Sequence, residues 1–140
     1  MVVFTKIFRL ALFSAALLLF PLLTGLDSSA LVREAMIIEI EGAIGSGSST
    51  FLTRALKAAE DRGSALIIIR LDTPGGLNVS MKTMVKSILN SPIPVVVYVA
   101  PKGASAASAG VLVTVAAHIA AMSPGTNIGA AHPVQSDGSD

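Results

Sequence analysis

Two serines, Ser105 and Ser108, stand in the segment Gly103-Ala104-Ser105-Ala106-Ala107-Ser108-Ala109-Gly110, where no other side chain exceeds a methyl group. A serine walled by such small residues suits nucleophilic attack on a carbonyl. A substrate backbone can come close, and the N–H groups of a helix start point at the negative charge that develops. A second source of N–H groups lies upstream in Asp72-Thr73-Pro74-Gly75-Gly76. Gly75 and Gly76 can take backbone angles closed to other residues and have no side chains to block access. They can serve as oxyanion donors or hold a peptide backbone; a tight strand-to-helix turn explains them equally well. Both serines qualify at this point. Three residues apart on an expected helix, they share a face, and Ser105 also reads as a helix N-cap.

These loops need elements to hold them. Ala35 to Glu41 reads as a strand ended by Gly42, followed by a Gly/Ser loop to Thr50. Phe51 to Asp61 reads as a helix capped by Ser49 or Thr50 and stopped at Gly63. Ala65 to Leu71 is a second strand whose unbroken Leu-Ile-Ile-Ile run implies burial on both faces, as in a parallel sheet. Leu77 to Asn90 carries an apolar stripe at helical spacing, with Lys82 and Lys86 on its solvent side. Val95 to Ala100 is a third buried strand, Ala106 to Ala117 an Ala-rich helix, and Ile119 to Met122 a short fourth strand. No internal repeat is evident. The alternation implies an α/β fold with mainly parallel strands and right-handed crossover helices. In such a fold ligands sit beyond the carboxyl ends of the strands, where the Asp72–Gly76 and Pro101–Ser108 loops face one another.

The composition narrows the partners. Of 140 residues, 52% are hydrophobic and only 14% charged, and part of that excess lies in a basic start (Lys6, Arg9) followed by an apolar run to Leu23 and small residues at 28 and 30. That pattern reads as a secretory signal over residues 1–30, with a membrane anchor as the alternative. Without those residues the charges balance, so nucleic acid is not an expected partner. There is no cysteine, which excludes disulfides. No residue cluster has metal-ligand spacing and no phosphate loop is present, so no cofactor or metal is expected. The Glu39/Glu41 pair alternates with Ile38 and Ile40, an edge-strand pattern.

Asp72-Thr73-Pro74-Gly75-Gly76-Leu77 followed by the Gly103–Gly110 segment resembles the NfeD family, membrane-associated serine proteases of the ClpP/crotonase superfamily that partner stomatin-like proteins. Ala121 to Ala130 and the Ile44–Ser49 loop fit the same family, and the resemblance covers roughly residues 35–134. It implies a ClpP/crotonase-like layered fold over residues 31–140. It implies Ser108 as nucleophile, Ala109 as one oxyanion donor and Gly75 or Gly76 as the other. It also implies apolar peptide substrates near the membrane, on an exported or membrane-associated protein, and assembly into at least a dimer.

A serine needs a base to take its proton. The resemblance implies a Ser-Lys dyad whose lysine follows the nucleophile, yet residues 109–140 contain neither Lys nor Arg. The polar stretch ending at Asp140 reads as a break inside the domain, with the lysine expected beyond it. His132, 24 residues after Ser108 and beside a proline, is the alternative base; a cleft-lining loop histidine is the other reading. His118 reads as structural, Lys102 as a solvated turn residue, and Asp72 as a local turn cap. Two readings compete with the protease. One is a non-catalytic scaffold for a stomatin-like partner. The other is a crotonase-type acyl-thioester enzyme, which an export signal argues against.

Overall fold

The computed structural model describes residues 34–131, so the expected signal segment and His132 lie outside the described residues. Strands β1 (Ala35–Glu41), β2 (Leu66–Asp72), β3 (Val95–Val99) and β5 (Ile119–Met122) form one parallel sheet in the order β1-β2-β3-β5. Helices α1 (Ser46–Asp61), α2 (Asn78–Leu89) and α3 (Ala109–Val115) connect them. A second, smaller parallel sheet pairs β4 (Ser105–Ala107) with β6 (Asn127–Gly129). Two isolated parallel bridges, Ile44 with Gly76 and Thr73 with Ala106, add to this second layer.

The chain therefore repeats one structural unit: a long strand, a short extended piece that crosses into the second layer, then a helix back. Ile44 and the Thr73–Gly76 turn play the part that β4 and β6 play later. The repeat has no counterpart in residue types, which is why the sequence shows none. A strand in this second layer needs only its backbone hydrogen bonds, and Gly-rich or Ala-rich segments supply those without a recognisable side-chain pattern.

The helices and the second layer enclose the core against one face of the main sheet. Ile38, Ile40, Ile67, Ile69, Leu71, Val95, Val97 and Val99 turn inward and meet Leu52, Leu56, Met84, Ile88 and Val113. At about 1.5–3 kcal/mol for each large apolar side chain buried, this cluster is the main stabilising contribution. Burial of β2 on both faces is not what forms: Ile67, Ile69 and Leu71 are buried while Leu66, Ile68 and Arg70 are half-buried. Among the described residues all three helices lie on one side. The far side presents a cross-strand row of Ile37, Ile68, Val96 and Ile119, with Ile37 61% and Ile119 57% exposed.

Two helix limits differ from expectation. Helix α1 starts at Ser46 rather than Phe51. Its Gly/Ser opening is held by Ser48 Oγ, which accepts the Gly45 N–H at 2.9 Å, and by burial of Ser49. Tertiary anchoring of Ile44 outweighs the weak helix propensity of that stretch. Helix α3 starts at Ala109 rather than Ala106, because Ser105–Ala107 is drawn into strand pairing on both sides. Ala favours helix, but a handful of interstrand hydrogen bonds outweighs a few tenths of a kcal/mol per residue, on the order of the propensity scale.

Candidate active site

The site lies where the second layer meets the start of α3. Strand β4 runs directly into Ser108, the N-cap of α3, with φ 51° and ψ −114°. A serine at positive φ carries backbone strain of about 1–3 kcal/mol, a feature that concentrates at functional sites. The strain is held in place on both sides: the Ser108 N–H donates to Gly129 O at 2.9 Å, and Ser108 O accepts from Val111 N–H at 3.0 Å. A sharp strand-to-helix turn of this kind is one way a fold presents a serine hydroxyl. Ser108 is half-buried, and Ala109 and Gly110 behind it are buried. Ala109 N–H, in the first turn of α3, has no acceptor among the described residues.

The Pro-Gly-Gly turn packs directly on this elbow. A Cβ on Gly75 would lie 2.8 Å from Ser108 Cβ and 3.3 Å from Ser108 Oγ, so only glycine permits the approach. Gly75 N–H donates to Thr73 Oγ1 at 3.1 Å. Gly76 is held against Ile44: Ile44 N–H donates to Gly75 O and Leu77 N–H to Ile44 O, both at 2.8 Å. In a parallel pair the residue between two such bonds turns its own N–H away from the partner. Gly76 N–H accordingly has no acceptor among the described residues, and Gly76 is exposed where Gly75 is buried. The structure thus brings Gly75, Gly76, Ser108 and Ala109 together.

Ser105 is placed differently from its sequence reading. It opens β4 and is not on a helix, so it neither caps α3 nor shares a helical face with Ser108. Its hydroxyl accepts from Asn127 Nδ2 at 2.9 Å, tying β4 to β6. Asp72 is more than a local turn cap. Its Oδ1 accepts the Ser105 N–H at 2.9 Å, bridging the end of β2 to the start of β4. Sequence reasoning missed this role and that of Thr73, since nothing local signals a partner 33 residues away. His118 has a structural role, as expected: its Nδ1 accepts from Val95 N–H at 3.2 Å, and its backbone N–H donates to Val95 O at 3.0 Å. Lys102 is exposed, its stem lying along Gly125. Lys82 and Lys86 are exposed on α2, and β1 is an edge strand, with Glu39 paired to Arg70 across the strands. No group of three or more His, Cys, Asp or Glu suited to a metal occurs among the described residues. No helix among them is long and apolar enough to cross a membrane.

Comparison with known proteins identifies relatives of this arrangement. The family described as NfeD1b, N-terminal domain, matches residues 34–140. The membrane-bound protease PH1510 of Pyrococcus horikoshii is 45% identical over 98 residues, which are 70% of this chain and 22% of that protein. The membrane protein NfeD1b of Bacillus subtilis is 36% identical over 113 residues, 81% of this chain and 25% of that protein. The chain thus spans about a quarter or less of the curated relatives it matches. Among solved structures, a lysine-to-alanine variant of the 1510-N membrane-bound stomatin-specific protease, in complex with a substrate peptide, superposes with TM-score 0.72 at 42% identity, covering 76% of this chain and 50% of that one. A serine-to-alanine variant of the same protease gives TM-score 0.71 at 41% identity, with 76% and 53% covered. ClpP1 from Listeria monocytogenes, at 21% identity and TM-score 0.59 over 72% of this chain and 61% of that one, shares the fold. The layered α/β architecture is therefore ClpP-like, and the chain belongs to the NfeD1b family, of which residues 34–140 match the N-terminal domain.

Proposed function

We propose that this domain is a membrane-associated, exported serine endopeptidase in which Ser108 attacks the peptide carbonyl. The observation that carries the reading is the strained Ser108 elbow abutted by Gly75, beside two N–H groups, of Gly76 and Ala109, that no described residue engages. These donors would hold the oxyanion of the tetrahedral intermediate. Gly75 N–H, held by Thr73, joins them only if Thr73 releases it. Removing one such donor typically costs 10²–10³-fold in kcat, roughly 2.7–4 kcal/mol.

The base in this reading is a lysine beyond Asp140. Support comes from the two 1510-N variants, in which the altered lysine lies 41 positions after the altered serine. The same interval counted from Ser108 falls past residue 140. Substrates are apolar peptide segments, with a stomatin-like membrane protein as the partner; the relative named as stomatin-specific and bound to a substrate peptide supports a peptide substrate and that partner. Exposed Leu77 and Val79, directly after Gly76, suit apolar side chains of a bound peptide. Assembly into a dimer or larger draws support from the Ile37–Ile68–Val96–Ile119 row, whose ends Ile37 and Ile119 are exposed.

A fluorophosphonate probe tests the reading in a chain extended past Asp140. Wild type is expected to label and Ser108→Ala is not. Equal labelling of the two removes Ser108 as nucleophile. Labelling that survives loss of the downstream lysine but not His132→Ala transfers the base to His132. No labelling by a folded, extended chain favours the scaffold reading.

A further inference from the structure

We propose that Thr73 is a positioning residue that holds the two halves of the oxyanion hole in register; the inference rests on the serine-protease reading above. Thr73 is fully buried, at 0% exposure, one residue past the end of β2. Its contacts reach Gly75 on one side of the site and Ser105, Ala107 and Gly110 on the other. Its backbone N–H donates to Ser105 O at 2.7 Å, and its carbonyl accepts from Ala107 N–H at 3.0 Å, which aligns β4 ahead of Ser108. Its hydroxyl accepts the Gly75 N–H at 3.1 Å and donates to Gly75 O at 3.2 Å. Its methyl group lies against the backbone of α3: a Cβ on Gly110 would come within 2.5 Å of Thr73 Cγ2. One side chain therefore grips the glycine turn with its oxygen and the helix start that carries Ala109 with its carbon.

The chemistry follows from this double grip. By engaging Gly75 N–H and O, the hydroxyl braces the turn in which the bridge to Ile44 leaves the next N–H, of Gly76, facing out. The methyl group sets how far Ala109 N–H stands from that donor. Oxyanion donors act by being placed in advance where charge develops, so an error near 1 Å costs on the order of 10²-fold. Only a β-branched residue with a hydroxyl supplies both contacts. Valine keeps the shape without the acceptor; serine keeps the acceptor without the methyl.

The test measures kcat and KM on an apolar peptide with the chain extended past Asp140, alongside melting of each variant. Thr73→Val is expected to lower kcat about tenfold or more, with KM within about twofold, because the lost alignment matters in the transition state and not in ground-state binding. Thr73→Ser, which keeps the hold on Gly75 but not the methyl contact, is expected to recover part of that loss, and to raise the melting midpoint when added to Gly110→Ala by removing the methyl clash. A Thr73→Val enzyme at or above wild-type kcat overturns the proposal. So does a kcat loss that is equal in the Val and Ser variants and follows their melting. Failure of the wild type to cleave, or equal cleavage by Ser108→Ala, overturns the protease reading and this inference with it. An active wild type with an inert Ser108→Ala and an unimpaired Thr73→Val overturns this inference alone.

Discussion

The Ser108 elbow stores strain that can be measured without any substrate. Ser108 sits at φ 51°, ψ −114°, a conformation glycine takes at little cost and other residues do not. Such a residue costs about 1–3 kcal/mol. Ser108→Ala keeps the Cβ and so keeps most of that strain. Ser108→Gly relieves it but gives the unfolded chain extra freedom, an offset of roughly 0.5–1 kcal/mol. The glycine variant is therefore expected to be more stable than the alanine variant by about 1 kcal/mol, which for a domain near this size shifts the midpoint by about 4–8 °C. Both variants lack the hydroxyl, so any difference between them belongs to the backbone and not to lost hydrogen bonds. Urea unfolding with a common slope, checked by thermal melting, reads it directly. A glycine variant less stable than the alanine variant by the whole of that roughly 0.5–1 kcal/mol offset would show that the turn is unstrained. The argument from strain to function at Ser108 would then lapse.

Three further outcomes follow from the same contacts. Gly76→Ala places a Cβ 2.1 Å from Ile44 O and must break the Ile44–Gly76 bridge. With two hydrogen bonds at risk beside a buried Ile44, urea denaturation is expected to show a loss of about 2–4 kcal/mol, and a loss under 1 kcal/mol would contradict the close approach. Asp72→Ala leaves Ser105 N–H without its acceptor and is expected to cost about 1–3 kcal/mol, while Asp72→Asn keeps an acceptor oxygen and recovers at least half. The Lys57 amine is held above its usual value by its hydrogen bonds to Asp61 first and Glu60 second. A raised folded-state value contributes stability below pH 10.5 that fades only as pH rises through the higher folded value, so Lys57→Met is expected to leave the pH dependence between 6 and 9 unchanged.

How far the sequence carried this reading depended on what kind of contact formed each element. Strands β1 and β3 and helix α2 announce themselves through apolar runs and stripes, because side chains facing the core hold them; β5 is held by its pairing with β3, with Ile119, Ala120 and Met122 exposed. The ends of β1 and β5 fall where expected, at Glu41 and Met122. The second layer does not announce itself. Ser105–Ala107 and the Thr73 and Ile44 bridges are held by backbone pairing, and Ala-Ser-Gly composition favours helix or loop when read alone. The site divided along the same line. Ser108, Gly75, Gly76 and Ala109 were legible through a motif of residue types, and the structure sets them side by side. Asp72 acts through Ser105, and Thr73 joins the neighbouring Gly75 to Ser105, Ala107 and Gly110 far along the chain, so no local pattern reveals what they bridge.

The small residues around Ser108 acquire a second physical meaning from the structure. Read along the chain, they clear space for a substrate. In the folded domain, three glycines are each required by contact within the protein itself. A Cβ on Gly75 would meet Ser108 Cβ at 2.8 Å, one on Gly76 would meet Ile44 O at 2.1 Å, and one on Gly110 would meet Thr73 Cγ2 at 2.5 Å. At Gly76 backbone lies against backbone, and at Gly75 and Gly110 it lies against the side chains of Ser108 and Thr73, because the chain crosses between the two layers within a few residues. Exposure separates the two demands. Gly75 and Gly110 are buried, whereas Gly76 is both packed on Ile44 and exposed. A glycine with one face committed to the fold and a free donor on the other is what an oxyanion hole built from main chain requires. The tight packing of the second layer is therefore the means by which this fold holds main-chain donors still beside Ser108.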